Sequence, residues 1–275
     1  MALRTILLPF DGSEPARAAL SHVRLLAGQD SAVHLVYVLP SYDLLARLGA
    51  SQDAARDASA MLSAAAEGLA CPTRCTLLSG DPAEAVAAEA DRLSVDLVVL
   101  GSRGRSAVAG LLLGSTTRKL LSVSTRPVLV AHKEVGAIHT IVVGVEEGPN
   151  GARLAAQAAM VAGRTGARVA LVNVVDADPQ LAARPERFGI PADQWREALA
   201  QHAERAFAPL RTVLPGADEQ VRYGGAAREL RAVADSEGAE VVIVARRGRS
   251  GRDVDAWFSV AFTLAVRGPF ATIVA

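Results

Sequence analysis

The chain has 275 residues, nearly twice an ordinary ~150-residue domain, so two compact units of roughly 135 residues are expected. Lys plus Arg and Asp plus Glu both number 29, a formal net charge of zero, so no global field gathers a polyanion; nucleic acid and anionic membrane are excluded as first readings. Hydrophobic residues make up 51% and charged residues 21%, the balance of a folded protein, and with only 4% aromatics the cores must be aliphatic.

The opening MALRTILLPFDGSE carries an apolar run that Pro9 and Asp11 interrupt, too brief for the apolar region of a signal peptide. No apolar stretch approaches the ~18 residues of a membrane helix. The expectation is a soluble, cytoplasmic protein. Cys71 and Cys75 are spaced C-x3-C around Pro72 with no histidine nearby, so they read as two free thiols rather than a zinc site or a disulfide.

In chain order, apolar runs of strand length fall at 5–10, 32–39, 74–78, 95–100 and 127–131. They are continuous rather than alternating, as in parallel strands buried on both faces. Helical patterns separate them: Pro15 to Ala27, the alanine-dense Ser51 to Leu69, and the segment opened by Asp81-Pro82-Ala83-Glu84. In that last start Asp81 is placed as N-cap, Pro82 in the first turn and Glu84 to complete a capping box.

The order then repeats. Strands are predicted near 140–145, 168–175, 219–223, 239–245 and 271–275, with an irregular stretch at 176–193 and a helix carrying Trp195, Leu199, Ala203 and Phe207. The strings themselves recur: DLVVLGSRGRSA from Asp96 returns as EVVIVARRGRSG from Glu240, and TILLPFDGSEPARAA from Thr5 resembles TIVVGVEEGPNGARL from Thr140. The chain is therefore a tandem duplication. Strands alternating with helices predict an α/β fold of two repeated domains, 1–135 and 136–275. Each is expected to be an open five-stranded parallel sheet of order 3-2-1-4-5 with helices on both faces.

The chemistry-bearing constellation follows the fourth strand, where Gly101, Gly104, Gly114 and Ser115 form G-x2-G-x9-G-S. Glycines at 101 and 104 are expected to let the turn take positive φ and to let phosphates approach bare amides. Gly114, Ser115, Thr116 and Thr117 open the next helix, whose unpaired amides and dipole face the same anion. Such a terminus contributes about 0.3 to 1 kcal/mol to anion binding, and up to about 2 when partly buried, so several amides must act together. The string is neither a Walker A loop nor the dinucleotide G-x-G-x-x-G. A tight loop whose glycines serve packing is the competing reading.

Asp11 sits at the carboxyl end of the first strand, and in the expected strand order that end and Gly101 flank the point where the order reverses and open α/β sheets bind ligands. Its carboxylate can take hydrogen bonds from a ribose or a base amine; a helix cap or turn residue is the alternative. Arg103 and Arg105 recur as Arg247 and Arg249 and read as solvated surface residues. His22, His34 and His202 read as packing residues.

On ILLPFDGSEPA, GDPAEAVAAEA, VDLVVLGSRGRS, LLLGSTTRKLL and RPVLVA the chain resembles the universal stress proteins in their tandem form, over essentially its whole length. The glycine spacing is that of ATP-binding members. The resemblance implies adenine and ribose contacts from Pro9, Phe10, Asp11, Val38 and Leu100, and phosphate contacts from Gly101, Gly104, Gly114, Ser115, Thr116 and Thr117. It implies ATP or AMP as the ligand, with Mg2+ a candidate companion. It further implies that the fifth strands of the two halves meet as an intrachain pseudo-dimer; a homodimer of whole chains is left open.

The second half departs from this pattern. Ala245 stands where Gly101 does, Phe258 where Gly114 does, Ala261 where Thr117 does and Glu146 where Asp11 does. A ring at 258 in a positive-φ position is expected to cost about 1–2 kcal/mol. One competent site, in the first half, is therefore expected, with the second half structural or regulatory. A nucleotide-free scaffold of the same fold is the alternative function. A dedicated enzyme is not supported, because neither S-G-G-x-D-S nor H-x-G-H occurs and no base stands beside a nucleophile; slow ATP hydrolysis is the most these residues allow.

Overall fold

The computed structural model describes residues 3–39, 51–103, 113–177, 179–246 and 260–275. Its ten described strands are β1 Thr5–Pro9, β2 Ala32–Leu39, β3 Thr73–Ser79, β4 Leu97–Gly101, β5 Val128–Ala131, β6 Thr140–Val145, β7 Arg168–Val175, β8 Asp218–Tyr223, β9 Val241–Val244 and β10 Ala271–Val274. The helices are α1 Glu14–Leu26, α2 Ser51–Ala66, α3 Pro82–Arg92, α4 Ser115–Val123, α5 Gly151–Thr165, α6 Pro179–Ala183, α7 Ala192–Arg211, α8 Ala226–Glu237 and α9 Val260–Arg267. The expected α/β class holds, and each apolar run read from the sequence is a strand to within a few residues. The stretch at 176–193 contains α6 and a 3-10 turn, Pro185–Phe188.

The chain packs as two units that are not the sequence halves: Ala2–Ala137 with Ala265–Val274, and Ile138–Leu264 with Ala275. In the first unit the strand order is β3-β2-β1-β4-β5-β10. The first five strands are parallel, in the expected order 3-2-1-4-5. The fifth strands of the two halves meet, as the resemblance implied: β10 runs antiparallel to β5, pairing Thr272 with Val130 and Val274 with Val128, so this unit holds six strands rather than the expected five. The reason is local, since β5 is an entirely buried VLVA segment whose open edge needs a partner, and β10 is an equally buried ATIV segment. The second unit holds the parallel order β9-β6-β7-β8.

The central strands are buried on both faces because crossover helices cover them. Ile6, Leu7, Leu8, Leu97, Val98 and Val99 are at 0% exposure, and each such Leu or Ile contributes roughly 1.5–3 kcal/mol. Helix α1 lies on β1, β4 and β5, presenting Ala16, Ala19, Leu20, Val23 and Leu26 inward. The small residues of its first half allow close approach to the sheet. The same carboxylate clasp closes the start of the central strands in both units. Asp96 Oδ2 accepts the amides of Arg4 and Thr5 at 2.7 and 2.9 Å, and Glu240 Oε2 accepts those of His139 and Thr140 at 2.9 and 3.0 Å.

Candidate functional site

β1 and β4 are neighbours, pairing Ile6 with Leu97, while β2 continues the sheet on the far side of β1 and β5 beyond β4. Their carboxyl ends therefore form the expected reversal point, and they carry Pro9, Phe10 and Asp11 on one side and Leu100 and Gly101 on the other. The Phe10 amide donates to the Val36 carbonyl at 2.9 Å and its ring is 6% exposed; Leu100 is 5% exposed. Pro9 and Val38 are half-buried at the strand ends. Asp11 Oδ1 accepts the Ser13 amide at 3.0 Å, fixing its carboxylate at the turn. The helix cap itself is Ser13, whose hydroxyl accepts from the Ala16 amide at 3.3 Å.

Two expectations about the glycines are corrected. Gly101 is a strand residue outside the positive-φ set; a Cβ there would lie 2.4 Å from the Pro15 carbonyl carbon and 2.5 Å from its oxygen. Its missing side chain lets the first turn of α1 rest on β4. Among the described residues of this region the left-handed one is Gly12, at φ 74°, where a Cβ would meet the Met61 sulfur at 2.8 Å. Gly114 has φ −67° and ψ 154°, extended backbone open to any residue, so the cost assigned to a ring at that position does not arise from φ. Gly104 and Phe258 lie outside the described residues.

Gly114 is the N-cap of α4, and among the described residues no side chain caps that helix. Its amide donates to the Ser102 carbonyl at 2.8 Å, which ties the cap to the end of β4. The amides of Ser115, Thr116 and Thr117 lie in the first turn, where no intrahelical carbonyl reaches them. By contrast α3 is closed by Asp81, whose Oδ1 accepts from Ala83 and Glu84 at 3.1 Å each. Glu84 does not form the expected reciprocal cap with its carboxylate, which pairs with Lys119 Nζ at 2.7 Å. Lys119 also reaches Asp81 at 3.1 Å; hydrogen bonds, from Glu84 first and then Asp81, raise its pKa.

Thr117 departs from its expected role. It is 2% exposed, and its hydroxyl donates to the Gly101 carbonyl at 3.0 Å, so that proton is not offered to a phosphate. Thr117 acts instead as a staple that sets the start of α4 beside the end of β4. Ser115 is exposed and Thr116 half-buried, so both hydroxyls remain at the surface of the site. Sequence reading missed Ser13, Pro15 and the Asp96 clasp. The signal for the last was present, because Asp96 and Glu240 open the two duplicated strings.

His22 is 1% exposed; its Nδ1 lies 2.9 Å from the Ala18 carbonyl and its buried Nε2 has no partner among the described residues. Burial lowers its pKa, and His132 lowers it further. Both cysteines are free thiols, with pKa raised by burial. Among the described residues no three of His, Cys, Asp and Glu gather as metal ligands, and no helix is long and apolar enough to cross a membrane.

The chain matches the universal stress protein family twice, over residues 2–132 and 137–264. A universal stress protein of Thermus aquaticus is 32% identical over 139 residues, 46% of this chain and 97% of that one. One from Methanocaldococcus jannaschii is 28% identical over 142 residues, 47% of this chain and 82% of its own length. The crystal structure of a universal stress protein from Archaeoglobus fulgidus shares the fold, with a TM-score of 0.65 at 18% identity over 100% of this chain and 96% of that one. Two family matches in series, on a duplicated α/β framework, place this chain in the universal stress protein family.

Proposed function

We propose that the protein is a stress-response component that binds an adenine nucleotide, ATP or AMP, in the first of two tandem domains, 1–135 and 136–275. The observation that carries this reading is the open start of α4: a glycine N-cap, three first-turn amides and two surface hydroxyls, stapled by Thr117 to the carboxyl end of β4. Amides so placed favour an anion, and their fixed position means that no reorganisation is needed when phosphate arrives.

Adenine and ribose then lie across the ends of β1, β2 and β4, against Pro9, Phe10, Val38 and Leu100, with the Asp11 carboxylate accepting from a ribose hydroxyl. Gly104 and Gly114 give the phosphates bare backbone, Gly101 lets α1 close on β4 beside them, and the hydroxyls of Ser115 and Thr116 add donors. A Mg2+ ion would ride on phosphate oxygens. The second domain serves a structural or regulatory part. The reaction chemistry asked of these residues is binding, with slow hydrolysis at most.

Calorimetric titration of ATP and AMP into the full chain tests this reading. One site per chain, lost in Gly114→Phe while the fold persists, is the expected outcome. An absence of binding by either nucleotide overturns it and favours the scaffold alternative.

A further inference from the structure

The second unit contains a cavity of about 310 Å3 at the carboxyl ends of β6, β7 and β9, within the size range of small-molecule sites. Its walls are apolar, formed by Val145, Val174, Leu230 and Val244. Its polar groups have opposite signs. Glu146 and Asp176 supply carboxylates, and Gly225 and Ala226 supply the start of α8.

The start of α8 is where the two repeats differ most informatively. In both, a strand ends, a left-handed glycine follows (Gly80 at φ 110°, Gly224 at φ 119°), and the next residue is the N-cap. In the first repeat that cap is Asp81, whose carboxylate occupies the amides of α3. In the second it is Gly225, with no side-chain cap and open space where a Cβ would stand among the described residues. The Arg228 and Glu229 amides are satisfied by the Gly225 carbonyl at 3.0 Å each, leaving Ala226 and Ala227 as the first-turn amides without an intrahelical partner. A carboxylate present in one copy is thus missing from the other, and there the helix start lines a cavity.

We propose that this cavity binds an apolar α-amino acid as its zwitterion. The ligand carboxylate stands in for the missing cap, on the Ala226 and Ala227 amides that open α8, where the helix dipole favours it. The ammonium donates to Glu146 and Asp176, and Glu146 is oriented for this by the Asn150 amide group at 3.0 Å. The aliphatic side chain lies against the valines and Leu230. Glu146 and Asp176 disfavour a triphosphate, which separates this site from the proposed nucleotide site. The proposal stands without that reading.

Calorimetric titration of L-leucine into the full chain is expected to show one saturable site with Kd below about 1 mM. Isopentylamine, lacking the carboxylate, and 4-methylpentanoate, lacking the ammonium, should each bind at least about tenfold more weakly. Gly225→Asp, which restores the internal cap at an extended backbone position, should weaken leucine binding at least about tenfold while melting no lower than the parent. Glu146→Gln should weaken leucine several-fold, and it serves as the second variant if Gly225→Asp fails to fold. ATP titrated into the same samples reports the first-domain site separately and should be unaffected by Gly225→Asp. The proposal is overturned if leucine, isoleucine, valine and phenylalanine all give no saturable heat up to about 10 mM, or if neither variant changes leucine affinity.

Discussion

Thr117 and Gly101 are joined by a hydrogen bond from the threonine hydroxyl to the glycine carbonyl, 3.0 Å long and buried. It fixes the open end of α4 against the strand whose tip forms the other side of the proposed phosphate site. Thr117→Val keeps the shape and removes the donor, leaving the Gly101 carbonyl without that partner. We expect a loss of about 1–3 kcal/mol in urea denaturation and weaker ATP binding. An unchanged unfolding midpoint would show that the staple contributes nothing.

Gly101→Ala should be more damaging, because the added methyl meets backbone atoms of Pro15 rather than a side chain that can turn away. A loss of at least about 2 kcal/mol, or failure to accumulate folded protein, is expected. Gly136→Ala is the control, since nothing lies within 4 Å of a Cβ there, and its stability should stay within about 0.5 kcal/mol of the parent. Equal effects of the two substitutions would contradict the packing role given to Gly101.

The paired carboxylate clasps predict equivalent costs in both repeats. Asp96→Ala removes the acceptor of the Arg4 and Thr5 amides, and Glu240→Ala that of the His139 and Thr140 amides. Each substitution should cost about 1–3 kcal/mol, read by chemical denaturation. Hydrogen exchange should quicken at the released amides in each variant; slow exchange at Thr5 in Asp96→Ala would refute the clasp.

Stability should fall with acid through the buried histidines. Burial depresses the pKa of both His22 and His132, so the unfolded chain takes up protons below its ordinary histidine pKa of about 6.5 while the folded one resists. Their contribution is whole above that pH and is lost as pH falls through the folded values. For His22 the slope can reach about 1.4 kcal/mol per pH unit. Urea midpoints measured from pH 7.5 to 5 should decline less steeply in His22→Phe than in the parent, and an identical decline would remove His22 from the account.

Much of this was legible in the sequence. Continuous apolar runs such as VHLVYVL and DLVVL marked doubly covered strands, and the recurrence of Arg-Gly-Arg-Ser exposed the duplication. What was not legible turned on contacts between distant segments. The meeting of β10 with β5 was implied by the family resemblance, but nothing in ATIV itself says that it leaves its own half to pack in the first unit. Gly101 and Gly12 are both glycines near one site, yet only Gly12 uses left-handed backbone, because the need at Gly101 comes from Pro15 across the sheet. A threonine in a helix's first turn reads as an available donor until the carbonyl that engages it is located.

Titration of ATP into the wild-type chain and into Gly114→Phe, with circular dichroism to confirm that both are folded, addresses the central claim most directly. The account predicts one ATP per wild-type chain and none in the variant. Equal ATP affinity in the two proteins would contradict it, since the amides opening α4 would then not be what holds the phosphates.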